Sequence, residues 1–231
     1  MKAVFVKLQW ENTARTIASF YFQPAGRYRY EPGQYAVLRV PHTAADSRGQ
    51  ERTMTLSSSP DEPLLKFTMR IFSGQDGGAS GSSYKRALLG LRAGDEVIVY
   101  DAMGDLVLPL DASVPLLFVA GGVGIASFTG MAQWLLDHHD SRDINLFYAV
   151  AGQDDIVMQQ VFDNNTGIHK QLFIKPNRLT PADIVPAVHP ASLLYLSGPE
   201  KMVESLRANL KSAGVSSQQI IFDYFDGYTS L

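Results

Sequence analysis

With 231 residues, the chain can form one large domain or two modest ones, each burying its own core. A hydrophobic content of 45% and a charged content of 19% are ordinary for a globular protein, and a net charge of −3 argues against a nucleic-acid binder, which carries a basic stripe. The absence of cysteine excludes disulfides, thiolate metal sites, a thiol nucleophile and a cysteine-ligated iron–sulfur cluster from these residues. The apolar run in Met1–Lys7 is too short for a signal-peptide core, and no stretch reaches roughly 18 apolar residues, so a cytoplasmic protein without a membrane span is expected.

Up to about Leu110 the chain reads as short strands separated by turn signals. The strands expected are Val4–Trp10, Thr16–Phe22, Tyr35–Val40, Arg52–Ser57, Leu65–Ile71 and Glu96–Tyr100, each rich in β-branched or aromatic residues. Between them lie Pro24-Ala-Gly26, Pro32-Gly33, Ser73-Gly-Gln-Asp-Gly-Gly78 and Ala93-Gly-Asp95. Strands at this spacing predict an antiparallel β-barrel over residues 1–111, interrupted by one helix-like stretch, Tyr84–Leu91.

From Val114 onward strands and helices alternate, which predicts an α/β domain with a parallel sheet over residues 112–231. Its expected strands are Leu116–Ala120, Ile144–Val150, Gln171–Lys175, Leu193–Ser197 and Gln219–Tyr224. The clearest helix is Pro199–Ala213, with proline at its first turn and Gly214 beyond its end. Asp111-Ala-Ser113 is the expected junction.

Gly121-Gly-Val-Gly124 follows the apolar strand directly and precedes a helix-periodic stretch, Ile125–Leu136. Glycines at such a junction let a phosphate approach the backbone and the helix N–H groups. The pattern ends in Ser127 rather than a third glycine, and no acidic residue closes a second strand about 20 residues on, so the loop alone does not decide between a nucleotide site and a plain turn. In the barrel half, Arg52-Thr-Met-Thr55 places Arg52 and Met54 on one strand face and Thr53 and Thr55 on the other. An arginine there can clamp a diphosphate and a hydroxyl can bond a ring nitrogen, but these residues alone read first as a barrel strand with a surface arginine and β-favouring threonines. The string Asp137-His138-His139-Asp140 looks like a metal cluster, but neighbours at a helix end point apart, so no metal is expected.

Order along the chain adds information that no single motif holds. Pro32-Gly33-Gln34-Tyr35, Arg52-x-x-Thr55-x-x-Ser58, Gly81-Ser-Ser-Tyr-Lys-Arg-Ala-Leu-Leu-Gly-Leu-Arg-Ala-Gly-Asp95, Gly121-Gly-Val-Gly124, Ser197-Gly-Pro199 with Met202, and Asp223-x-Phe225 follow one another. This succession resembles the ferredoxin–NADP reductase superfamily of flavoproteins across nearly the whole chain. The resemblance implies a barrel that binds FAD, or less often FMN, and an α/β domain that takes NADH or NADPH as co-substrate. It implies an NAD(P)H-dependent flavoprotein reductase moving a hydride to FAD and then electrons to an external acceptor, a redox protein or a small molecule. The alternative is a flavin-binding sensor or assembly module without efficient turnover.

By the same resemblance, Arg52 holds the flavin phosphates, with Thr53 and Met54 lining the flavin and Thr55 beside its N5. Gly81, Ser82 and Ser83 offer backbone N–H groups to the flavin diphosphate. Gly121, Gly122 and Gly124 approach the pyridine-nucleotide diphosphate, Ser197, Gly198 and Pro199 lie near the nicotinamide, and Phe225 covers the flavin face. Thr55, Ser197 and Phe225 are the residues expected at the reacting atoms. The chain departs from the family where Met54 replaces an aromatic ring, where Ala126-Ser127 replaces Thr-Pro, and where Ser197 replaces cysteine. Ala151-Gly152 stands where NADPH users carry arginine, and Asp154-Asp155 follows, so NADH is expected to be at least as good a donor as NADPH; Lys175 and Arg178 are the counterweight.

Overall fold

A computed structural model describes residues 1–71 and 82–225, except the side chains of Tyr224 and Phe225. The first sheet contains β1 (Lys2–Trp10), β2 (Ile17–Pro24), β3 (Tyr35–Arg39), β4 (Glu51–Thr55), β5 (Leu65–Arg70) and β6 (Glu96–Val99), in the spatial order β4-β3-β6-β1-β2-β5. Every pairing is antiparallel. The two ends of the sheet meet just past β4, where Leu56 bridges Phe67 and the Ser57 N–H donates to the Lys66 carbonyl at 2.8 Å, so the sheet curls into a barrel. Alternation along the strands fills its interior with Phe5, Phe20, Phe22, Leu38, Met54 and Phe67, all buried. Helix α1 (Ser83–Leu89) lies against this core through Tyr84 and Leu88.

The second sheet is formed by β7 (Leu116–Gly121), β8 (Ile144–Val150), β9 (Ile168–Ile174), β10 (Leu193–Pro199) and β11 (Ile220–Phe225), in the order β11-β10-β7-β8-β9. All four pairings are parallel. The central strand β7 is buried along its whole length, as a strand covered on both faces must be. The helices are α2 (Ala126–Asp137), α3 (Gln159–Asp163), α4 (Pro181–Ile184) and α5 (Glu200–Ser212). Strand β9 starts three residues earlier than its apolar pattern indicates, because His169 and Lys170 continue the pairing with β8. A 3-10 turn at Gly122–Ile125 precedes α2, and Pro199 caps α5 from outside instead of entering its first turn.

Each sheet has its own core, and the two meet through one further cluster. Ile17 of β2 and Leu106 pack in the same cluster as Phe118, Phe128 and Met131. Gly33 (φ +98°) turns at this boundary: a Cβ there would lie 2.2 Å from Met131 Cε and 2.2 Å from the Leu106 carbonyl oxygen. Gly130, inside α2, does the same for the barrel side, since its Cβ would fall 2.4 Å from the Ser58 carbonyl oxygen. The connecting segment is held by Tyr195, whose hydroxyl donates to the Val107 carbonyl at 2.5 Å, and by Arg142, which donates to the Pro109 carbonyl at 2.9 Å.

Candidate functional site

Four polar side chains meet where the barrel faces the C-terminal ends of the parallel strands. Thr55 ends β4, Ser127 opens α2, Ser197 lies near the end of β10, and Asp223 lies opposite Ser197 on β11. The Thr55 hydroxyl donates to Asp223 Oδ2 at 3.4 Å, and the Ser127 hydroxyl donates to Thr55 Oγ1 at 3.4 Å. Ser127 Oγ and Ser197 Oγ are 2.9 Å apart. An ionised carboxylate only accepts, so with Asp223 ionised the hydrogens run from Ser197 to Ser127 to Thr55 to Asp223. Thr55, Ser127 and Ser197 are buried at 4%, 0% and 0% exposure, a setting where each of these bonds counts for more than in water. Two residues expected at the reacting atoms, Thr55 and Ser197, are thus joined through a third.

A second group surrounds Arg52. Its Nη1 donates to the carbonyls of Arg48 at 2.8 Å, Gly49 at 3.3 Å and Glu51 at 2.5 Å. Its Nη2 is buried and, among the described residues, without a hydrogen-bond partner, 3.8 Å from Asp46 Oδ1. The guanidinium carbon lies 4.9 Å from the centre of the Tyr84 ring, a cation–π contact. The Ser83 N–H at the start of α1 donates to Asp46 Oδ2 at 2.9 Å, and the Arg48 N–H donates to Oδ1 at 3.0 Å. These bonds, led by the one from Ser83, pull the Asp46 carboxyl down to about 2. Burial pushes the Tyr84 hydroxyl above its ordinary range, and it donates to the Leu38 carbonyl at 3.0 Å.

The glycine loop is a third group, and its glycines do different work. A Cβ on Gly121 would lie 2.4 Å from Met202 Sδ and 3.0 Å from Pro199 Cδ, and one on Gly124 would lie 2.3 Å from the Ser197 carbonyl oxygen. Gly124 is therefore required by the close approach of the β10 backbone, whereas at Gly121 the nearest atoms belong to the end of the flexible Met202 side chain on α5. Gly122 (φ +52°) is open on its Cβ side, where the nearest atom is Arg70 Nη2 at 3.8 Å. Arg70 ends β5 and is paired with Asp155 at 2.9 Å, a bridge from the barrel to the loop after β8. Asn12 reinforces it by donating to the Asp154 carbonyl at 3.0 Å. Among the described residues, no side chain caps the first turn of α2.

Other residues sit elsewhere than the motifs suggest. Met54 is packed inside the barrel, where its sulfur lies 3.6 Å from the Tyr84 hydroxyl, so its side chain is not a platform for a ring. Thr53 is exposed on the opposite strand face, paired with Val37. The Ser82 side chain caps α1 by accepting from the Lys85 N–H at 3.3 Å, and the Ser83 N–H, expected to face a diphosphate, donates to Asp46. Gly198 and Pro199 line up with Tyr224 and Phe225 across the β10–β11 pairing. Gly81 and the Phe225 side chain lie outside the described residues. His138 stacks on Trp134 at 4.1 Å and Asp140 pairs with Arg142 at 2.6 Å, so the histidine–aspartate string is spent on separate partners. The motif reading passed over Asp46, Arg70 and Gly130; a glycine inside an apolar helix was the one readable signal among them.

Residues 118–182 match the oxidoreductase NAD-binding domain family. The chain is similar to the reductase component of propane 2-monooxygenase from Mycolicibacterium smegmatis, 25% identical over 93% of this chain and 65% of that protein. Among solved structures it is similar to the flavohem-like FAD/NAD-binding domain of nitric oxide dioxygenase from Vibrio cholerae, with a TM-score of 0.80, 20% identity, and 97% and 98% of the two chains covered. It is also similar to a ferredoxin-NADP+ reductase from Plasmodium falciparum, with a TM-score of 0.76, 16% identity, and 97% and 96% covered. The chain spans about three-fifths of the length of the curated relatives it matches. The barrel and the parallel α/β sheet expected from the sequence are both present, and among the described residues no helix is long and apolar enough to cross a membrane.

Proposed function

We propose that this chain, which has the two-domain fold of the ferredoxin–NADP reductase superfamily, is a flavoprotein reductase, with residues 1–111 holding the flavin and residues 112–231 the pyridine nucleotide. When bound, NADH or NADPH supplies the hydride and FAD accepts it and passes electrons to an external acceptor. The observation that carries this reading is the convergence of Thr55 and Ser197 on one buried hydroxyl chain at the mouth between the sheets. Parallel sheets bind ligands at the C-terminal ends of their strands, where this chain lies.

The residues present fit the two ligands unevenly. Arg52 Nη2 is a buried donor without a hydrogen-bond partner among the described residues, as a phosphate anchor would be. Gly122 leaves open backbone beside the Arg70 guanidinium, at the start of the 3-10 turn that leads into α2 and has no side-chain cap among the described residues, a setting for a dinucleotide diphosphate. Thr55 and Ser197 orient the two ring systems from opposite domains, and the burial around them excludes water. Against this, Met54 is turned inward and the Ser83 N–H is taken by Asp46. Those two features favour the second reading, a flavin-binding sensor or assembly module without efficient turnover.

The acceptor is an external redox protein or a small molecule, and a partner oxygenase is one class that fits, given the reductase-component relative. The deciding measurement is the visible spectrum of the purified protein with FAD, before and after anaerobic NADH and NADPH. Bleaching of the bound flavin supports the reductase. A flavin that stays yellow supports the module, and a protein that takes up no flavin sinks both.

A further inference from the structure

We infer that Asp46 is a specificity-determining residue of the Arg52 site: its carboxylate takes the Ser83 N–H and stands in front of the Arg52 guanidinium, where a flavin phosphate would sit, so a phosphorylated flavin binds only by displacing it. The inference rests on the flavin reading above. One arm of the Arg52 guanidinium is fastened to its own loop through the carbonyls of Arg48, Gly49 and Glu51. The other arm faces Asp46 Oδ1 at 3.8 Å. Asp46 Oδ2 accepts from the Ser83 N–H at 2.9 Å and from Arg48 Nη2 at 3.3 Å. The Asp46 N–H in turn donates to Ser83 Oγ at 2.9 Å, and His42 Nε2 is 3.2 Å from the same oxygen. Asp46 therefore sits among Arg52, Arg48 and the start of α1, as a bound anion would.

The exclusion is geometric as well as electrostatic. A backbone N–H carries one hydrogen, so the Ser83 N–H cannot serve a phosphate while Asp46 holds it. A phosphate brought to Arg52 with Asp46 in place also meets a negative charge beside the guanidinium it seeks. A flavin without phosphate meets neither obstacle. The consequence is a narrowed preference for FAD over riboflavin in the parent protein, and a flavin that exchanges readily.

A mere staple for the 40–50 loop would behave in the opposite way, because loosening a staple does not improve binding. The test is equilibrium titration of the full chain and its Asp46→Ala and Asp46→Asn variants with FAD and with riboflavin, alongside thermal melts. Asp46→Ala removes the charge and both acceptor oxygens; Asp46→Asn removes the charge and keeps one acceptor oxygen, and covers the case in which the alanine variant does not fold. The expected result is an FAD Kd lowered about tenfold in Asp46→Ala and lowered in Asp46→Asn, with riboflavin within about twofold of the parent. FAD binding that is unchanged or weaker in the folded variants overturns the inference and leaves the flavin reading standing. Binding of neither flavin by any of the three proteins overturns both.

Discussion

Ser127 and Ser197 approach to 2.9 Å between their hydroxyl oxygens although 70 residues separate them in sequence, and both are fully buried. Ser127 also donates to Thr55, so a residue of the α/β domain ties a barrel strand to β10. Removing the Ser127 hydroxyl strips the bond from both neighbours. Ser127→Ala is expected to destabilise the chain by about 1–3 kcal/mol, the range for a buried hydrogen-bonding group left unpaired. It should slow flavin reduction by NADH while flavin affinity holds, with recovery in Ser127→Thr. Stopped-flow reduction and denaturant melts measure the two effects, and a reduction rate equal to the parent's would show that Ser127 only supports the fold.

Arg52→Ala should weaken FAD binding about tenfold or more, since it deletes a charge-assisted contact worth about 1.5–3 kcal/mol. The effect should be larger in the Asp46→Ala background, where the guanidinium is free to engage. Equal FAD affinity with and without Arg52 in that background would remove it from the phosphate site.

Gly130→Ala tests how closely the domains are packed. The added methyl would sit 2.4 Å from the Ser58 carbonyl oxygen, so either α2 or the barrel must shift. A loss of about 1–3 kcal/mol in denaturant melts is expected, the range for overpacking. Gly152→Ala, where a Cβ meets nothing within 4 Å, is the control and should leave the melt close to the parent's.

For the donor, kcat/KM with NADH is expected to equal or exceed that with NADPH. The strand end after β8 carries Ala151 and Gly152 in place of a cation, and the nearby Arg70 guanidinium is paired with Asp155. Freeing Arg70 with Asp155→Asn should shift the ratio towards NADPH. A tenfold NADPH advantage in the parent protein would assign the 2′-phosphate to a cation elsewhere, Lys175 or Arg178 first.

Acid sensitivity should include a contribution from Asp46. Its folded-state value near 2 lies below the ordinary 3.8, so its stabilisation is present above about pH 4 and is lost as pH falls towards 2. Asp46→Asn should flatten the stability profile between pH 4 and 2 and leave the slope above pH 5 unchanged. Asp140, whose carboxyl the Arg142 side chain also holds below its ordinary value, contributes in the same direction, so a residual slope remains.

The sequence by itself determined the two sheets. Short β-branched and aromatic strands separated by turn signals suggest an antiparallel barrel, whereas the unbroken apolar run Leu116–Ala120 has to be covered on both faces, which with the strand–helix alternation that follows implies a parallel sheet. The order of its motifs, through the resemblance it carries, also points to Thr55 and Ser197. What only the tertiary structure decided are relations between residues far apart in the chain. Asp46 against Ser83, Arg70 against Asp155 and Ser127 between Thr55 and Ser197 depend on how the barrel seats on α2, and no local pattern encodes that seating. Met54 and Thr53 were assigned by position in a motif, but core packing turned Met54 inward against Tyr84 and left Thr53 on the solvent face. Gly121 and Gly124 read as ligand-facing glycines, yet the space their missing side chains leave is filled by Met202, Pro199 and the Ser197 carbonyl. A glycine in a sequence marks a close approach; which atom approaches is settled by the fold.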